Sequence, residues 1–302
     1  MSPFRRVQLV GIFRVTLALL AVSLFSCAQT GKTPQLSPLQ LVRLTVNNEV
    51  SGGHQSVKHM FHSHKVTPKG TQTHIYVETA QAMAGILIAQ NDQPLTAEQK
   101  QAEINHLSWL EGDPEALRRK RANEKQDADQ TLRIMKALPD AFDYTDEGTE
   151  TGTAETGGAG RPLVRLRFKP NPSYSPPSHV EQVLTGMEGT LLIDAEAHRI
   201  ARIDGTLFKG VSFGWGIVGH LDKGSTFRVQ QADVGDGAWE ITQMKLSITG
   251  KILLFKSLSM ISDETFTDFQ RVPDDLTFSR GVELLKAQEE KFAKSSPERQ
   301  PR

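Results

Sequence analysis

Thr226-Phe227-Arg228-Val229-Gln230-Gln231-Ala232-Asp233 and, a little further on, Met244-Lys245-Leu246-Ser247-Ile248-Thr249-Gly250-Lys251-Ile252 decide the fold of this chain. Phe227, Val229 and Gln231 alternate with Arg228 and Gln230, and Met244, Leu246 and Ile248 alternate with Lys245 and Ser247. Successive side chains of a strand point to opposite faces, so a period of two predicts strands with one half-buried face. Gly250-Lys251 is expected to turn the chain into a further run, Ile252 to Ile261. Similar runs of roughly eight to ten residues, with turn signals between them, fill Glu188 to Val272. Connections this short join only antiparallel neighbours, so the meander predicts a large antiparallel sheet.

Upstream, Val164, Leu166 and Phe168 alternate with Arg165, Arg167 and Lys169, which predicts another half-buried strand. The prolines at 170, 172, 176 and 177 then hold an extended crossing before a short helix over His179 to Met187. Asp146 to Gly160 is mostly Gly, Thr and Glu and reads as a flexible loop. A helical excursion is expected over 96–138. Thr96-Ala97-Glu98-Gln99 opens it as a capping box, Asp113-Pro114 caps its second helix, and Arg118 to Gln130 forms a solvated stretch before Leu132, Met135 and Leu138 return to the core. Three strands precede it, at Ser56 to Val66, Thr71 to Thr79 and Met83 to Gln90. The domain opens on a helix capped by Ser37, with Leu39, Val42, Val46 and Val50 on one face and Gly52-Gly53 as its stop. It closes on a helix capped by Asp275 and carrying Phe278, Val282 and Leu285. The class is α+β: a large curved antiparallel sheet, half-barrel-like, with helices on one face, in a single domain over 37–287 followed by a polar tail at 288–302.

This order of elements resembles the half-barrel of the periplasmic lipoprotein-carrier superfamily, the Lol-type carriers. Asp92-Gln93-Pro94-Leu95, Leu138-Pro139-Asp140-Ala141-Phe142, Met187-Glu188-Gly189 with Asp194, Gly219-His220-Leu221-Asp222-Lys223-Gly224 and Arg271-Val272-Pro273-Asp274-Asp275-Leu276 also resemble segments of a group of uncharacterised bacterial envelope proteins. The resemblance to the carriers implies an apolar cavity for acyl chains between sheet and helices. Ile252-Leu253-Leu254-Phe255 with Leu258, Met260 and Ile261 is apolar on both faces of a strand, as a buried central strand would be. A filled sandwich core is the competing reading of the same residues.

The N-terminus reads as an export signal over 1–27. Arg5 and Arg6 precede an apolar run from Val15 to Phe25, whose length of about 16 Å as a helix falls short of a bilayer core of about 30 Å. It ends in Leu24-Phe25-Ser26-Cys27, which resembles a lipobox, although Phe25 occupies a slot that usually holds a smaller residue. Cys27 is the lipidation candidate, and cleavage after Ala28 is the alternative. With 1 Cys in 302 residues no internal disulfide exists. A polar tether over 28–36 follows. The partners expected are a membrane, through the lipid anchor, and an apolar ligand or a lipoprotein. In a Gram-negative host the place is the cell envelope, anchored at the outer membrane and facing the periplasm. Lys plus Arg and Asp plus Glu stand at 35 each, with no basic stripe to bind nucleic acid.

No catalytic residue, cofactor or metal is assigned from the sequence, and no ligand-binding residue is singled out. Gly210-Val211-Ser212-Phe213-Gly214 spells a hydrolase elbow, but no helix signal follows and no acid lies between Ser212 and His220. Gly214-Trp215-Gly216-Ile217-Val218-Gly219 matches a dinucleotide fingerprint without its strand-to-helix context. His54, His59, His62 and His64 form one dense cluster. His62 and His64 would share a strand face at metal-bridging distance, with Glu78 as a third ligand if register allows, while a solvated strand face is the plain alternative. Asp194, Asp204, Asp222 and Asp233 stand near turns, where Asp accepts backbone amides.

Overall fold

The computed structural model describes residues 36–52, 57–213, 219–235, 237–252 and 256–295; Cys27, the export signal and His54 lie outside them. Helix α1 (Pro38–Gly52) starts on a reciprocal cap, in which the Gln40 amide donates to Ser37 Oγ at 3.3 Å and the Ser37 amide to Gln40 Oε1 at 2.9 Å. Its buried stripe is Leu41, Val42, Thr45 and Val46. Leu39, expected on that stripe, faces outward at the first turn, 39% exposed.

Strands β1 (His59–Thr67), β2 (Gly70–Val77), β3 (Ala84–Gln90) and the short β4 (Gln93–Pro94) form the first meander. The Thr96 capping box opens α2 (Ala97–Gly112), and Asp113, accepting from the amides of Glu115 and Ala116, opens α3 (Pro114–Ala141). The middle of α3 is a polar rod carrying i,i+4 ion pairs, Lys120–Glu124 at 2.9 Å and Lys125–Asp129 at 2.6 Å, before Leu138 and Ala141 bury.

The flexible loop expected at 146–160 is in large part ordered. Strand β5 (Phe142–Thr151) pairs with β6 (Pro162–Pro170), and the turn between them is held by backbone bonds such as Gly152 N to Arg161 O at 2.7 Å. Glu147 and Glu150 lie against Arg165, and Glu147 also meets Arg167, so the acids that suggested disorder are partners of the next strand. After α4 (His179–Gln182) and a 3₁₀ turn (Val183–Gly186) come β7 (Met187–Asp194), β8 (Arg199–Leu207), the short β9 (Val211–Phe213) and β10 (Gly219–Leu221), β11 (Thr226–Asp233), β12 (Trp239–Ile252) and β13 (Lys256–Arg271). Gly250-Lys251 is no turn: β12 runs through it and pairs Ile252 with Lys256. Gly250 is needed for close approach, since a Cβ there would stand 2.1 Å from the His220 carbonyl oxygen of β10.

Among the described residues the strands form one antiparallel sheet of 13, ordered β4-β3-β2-β1-β13-β12-β11-β8-β7-β6-β5, with β9 and β10 at the side of β12. The last long strand thus pairs with the first, Ser63 opposite Phe266, which joins the early meander to the late one. Two cores hold the ends. One packs Met60, Ile75, Val77 and Ile86 against α2 and α5 (Phe278–Ser295); the other packs Leu166, Leu191 and Ile193 against α1 and the end of α3. The register puts these two helix pairs on opposite faces, because Ile75 and Met60 alternate with residues that align with Leu191, whereas the sequence suggested one face for all helices. Two expectations at the C-terminus also change. Thr277, not Asp275, sits at the start of α5 and accepts from the Arg280 amide at 3.4 Å. The helix continues past Gln288 because Glu289, buried, meets Lys100 at 2.5 Å and Phe292 packs on the core. No described helix is long and apolar enough to cross a membrane.

Candidate functional site

Antiparallel register makes one cross-strand row of Leu166, Leu191, Ile203, Val229, Met244 and Glu264, which turns polar at Lys65 and Gln72. The row leaves the core under α1 and α3 and continues over strands that the helices do not cover, their main contacts falling on β2, β3, β5, β8 and β9. Beside it, on the same face, lie Phe227 and Leu246, paired to each other, and an aromatic group around Phe61. Phe61 stacks on Phe269 with ring centroids 5.4 Å apart and meets Phe266 at 6.0 Å and Tyr76 at 5.7 Å. Val229, Met244, Leu246, Phe61 and Phe266 are half-buried rather than buried. The Phe227 ring lies over Gly205, where a Cβ would be 2.0 Å from it, so glycine lets that ring flatten onto the sheet.

One polar cluster interrupts this face. Buried Ser63 donates to Glu264 Oε1 at 2.6 Å, and Lys65 meets Glu264 Oε2 at 3.0 Å. His74 stacks on Tyr76 at 5.4 Å, and burial holds its imidazole below its ordinary pKa, in the neutral form. The opposite face of the same strands is charged. Lys245–Asp263 at 3.0 Å, Arg228–Asp204, Arg202–Asp204 at 2.8 Å, Arg202–Glu150 at 3.5 Å and Arg165–Glu147 at 3.1 Å make a ladder from β13 to β5.

Where β12 and β13 part, beyond their last pair Gln243 with Thr265, a groove of about 460 Å³ opens. Thr242, Thr265, Thr267, Phe266 and Phe269 are among its lining residues. That volume lies within the range of small-molecule sites, about 300–1,000 Å³. The apolar strand expected from Ile252 to Ile261 is not a covered one. Met260 and Ile261 are 47% and 45% exposed, because β13 here runs past β1, whose pairing stops at Val66 with Asp263, and 253–255 lie outside the described residues.

The singled-out polar residues fall in separate places. His62 and His64 do share a face, but each takes its own acid: His62 stands 3.0 Å from Asp268 and His64 3.0 Å from Asp92. Glu78, the third ligand suggested for them, belongs instead with His59 and Glu240. The Glu78 carboxylate accepts the His59 backbone amide at 2.8 Å, and His59 Nδ1 lies 3.0 Å from Glu240 Oε1. Burial and the neighbouring Glu78 charge push Glu240 up to about 7, against the pull of Arg199. Burial raises Glu78 as well, and burial together with Arg271 lowers His59. The pattern did not point to Glu240, which is 181 positions from His59; only the pairing of β1 with β13, and the parting of β12 from β13, bring them together.

Ser212 and His220 sit directly opposite each other on β9 and β10, with Ser212 Oγ 2.9 Å from His220 Nδ1 and His220 Nε2 3.6 Å from Asp222. The His and Asp side chains are 37% and 47% exposed, on a strand pair rather than a strand-to-helix elbow, and 214–218 lie outside the described residues. Asp194 and Asp233 are turn residues as expected, accepting from Ala197 at 2.8 Å and Gly235 at 2.9 Å, whereas Asp204 is mid-strand, in the ion-pair ladder.

No family model matches the chain, and neither does any curated protein. Among solved structures, a DUF1329 family protein from Desulfovibrio piger ATCC 29098 is similar at 9% identity and a TM-score of 0.28, over 78% of this chain and 94% of that one. A likeness of that size does not bear on function, and the reading of the site rests on the chain's own residues.

Proposed function

We propose that this protein is an exported, lipid-anchored envelope protein that binds an apolar ligand, a lipid or the acyl chain of a lipoprotein, without catalysing a reaction on it. The observation that supports the reading is the two-faced character of β11, β12 and β13: Val229, Met244 and Leu246 on one side, continued by Phe61 on β1, and ion pairs on the other. An apolar row left half-buried while its reverse carries ion pairs has the makeup of a binding surface, since each uncovered methylene forgoes about 0.8 kcal/mol of burial. The Ser63–Glu264–Lys65 group, with Ser63 and Glu264 buried and Lys65 part-exposed, supplies the polar end that would orient an amphiphile. Localisation rests on the sequence reading of 1–27, with Cys27 as the site of lipid attachment.

Native mass spectrometry of protein extracted from membranes, set beside a Cys27→Ser variant, tests both parts. The reading expects a lipid adduct that dissociates on activation, and a covalent acyl mass lost in the variant together with release to the soluble fraction. Bare protein of unchanged mass and solubility in both samples contradicts it.

A second reading, hydrolysis through Ser212, is favoured by the row of Ser212, His220 and Asp222. A fluorophosphonate probe that labels the wild type and spares Ser212→Ala would establish it and displace the binding-only function.

A further inference from the structure

We propose that His59, Glu78 and Glu240 bind a divalent transition-metal ion, with Zn²⁺ as the reference ion. This site is independent of the apolar-ligand reading; it takes His59 and Glu78 from the residues that the sequence singled out, but not the His62 and His64 pair.

Three strands contribute one ligand each: His59 starts β1, Glu78 follows β2 directly and Glu240 is the second residue of β12. One donor atom from each lies within 4.8 Å of the other two. Donors held about 2.0–2.2 Å from a tetrahedral zinc are about 3.3–3.6 Å apart, so small side-chain rotations close the set. His59 is 5% exposed, its imidazole fixed edge-to-face against Phe269 at 5.9 Å and hydrogen-bonded to the Val57 backbone. A histidine ligand whose ring is oriented by a backbone carbonyl or a carboxylate is the usual arrangement at protein metal sites.

Two of the cations nearby are engaged elsewhere, while Arg271 stands opposite His59 on β13. Arg199 is paired with Glu49 at 3.0 Å, and Lys58 donates to the Asp274 carbonyl. Two carboxylates are thus brought together in a half-buried place with one imidazole between them, and a dication satisfies all three at once. One nitrogen and two carboxylates suit zinc and its first-row neighbours, and three protein donors leave a fourth position for water. His62–Asp268 and His64–Asp92 offer two donors each, one short of the set at His59, so they do not compete.

The test uses the full chain without a histidine tag, stripped with a chelator and titrated with Zn²⁺ by calorimetry, with circular dichroism on every sample. The expected result is one ion per chain, weakened at least about tenfold in Glu240→Gln and in Glu78→Gln and unchanged in a His62→Gln, His64→Gln double variant. Co²⁺ in the wild type should show the intense visible bands of a tetrahedral nitrogen and oxygen site, a readout that holds even if a variant fails to fold. Binding of less than half an ion per chain, wild-type affinity in both folded Gln variants, or Co²⁺ bands that match the aqueous ion would each overturn the proposal.

Discussion

Glu240 carries a proton more tightly in the folded chain than it would unfolded, because burial and the Glu78 charge lift it to about 7. The stability it contributes is complete below the unfolded value of about 4.3 and is lost as pH rises through about 7. In metal-free protein we expect the difference in unfolding free energy between wild type and Glu240→Gln to shrink over that window, by at most about 4 kcal/mol. Urea melts at several pH values measure it, and a flat difference would contradict the assignment. His59 acts in the opposite sense, since its value is lowered and its contribution fades as pH falls below about 6.5, which is why the comparison is with the variant. A second residue-level outcome concerns Glu49, which accepts the Ile200 amide at 2.8 Å and ties α1 to β8 through Arg199. Arg199→Ala leaves that buried carboxylate unpaired and should cost about 3–5 kcal/mol in thermal or urea unfolding. Glu49→Leu with Arg199→Met should cost less. At this scale the sequence shows the turn role of Asp194, whose partner is three residues away. It hides Asp204 and Glu240, whose partners depend on which strands are neighbours.

The elements were largely legible, and the exceptions share a physical cause. Ser37, Thr96 and Asp113 announce helices because a cap and its amide are close in sequence. Strand β5 was hidden because Gly, Thr and Glu resemble a disordered stretch until Arg165 and Arg167 are laid beside them. Charge neutralisation at that edge predicts that Glu147→Lys, which faces both arginines, loosens β5 first, seen as faster amide hydrogen exchange over 143–151 than over β7. The end of α5 was hidden for a like reason: Glu289 and Lys100 lie far apart in sequence. Leu285, fully buried under this helix, should cost about 2–5 kcal/mol on replacement by Ala, measured by urea unfolding. A cost below 1 kcal/mol would mean that α5 is not docked.

Across the whole molecule, the period of two in β11 and β12 gave the antiparallel sheet, while the joining of its two halves did not follow from any local pattern. Pairing of β1 with β13 is what extends the apolar row from Val229 and Met244 to Phe266 and Phe61. Helices at opposite ends and on opposite faces leave that row uncovered. The site was therefore visible in the sequence as alternating apolar residues, but not as a surface. The measurement that tests this account most directly is titration of a fluorescent fatty acid into delipidated protein, comparing wild type with a Met244→Asp, Leu246→Asp double variant of verified fold. The account predicts saturable binding in the wild type and at least about a tenfold loss in the variant, since two charges on that face oppose apolar burial. Equal binding in both proteins, or none in the wild type, would contradict it.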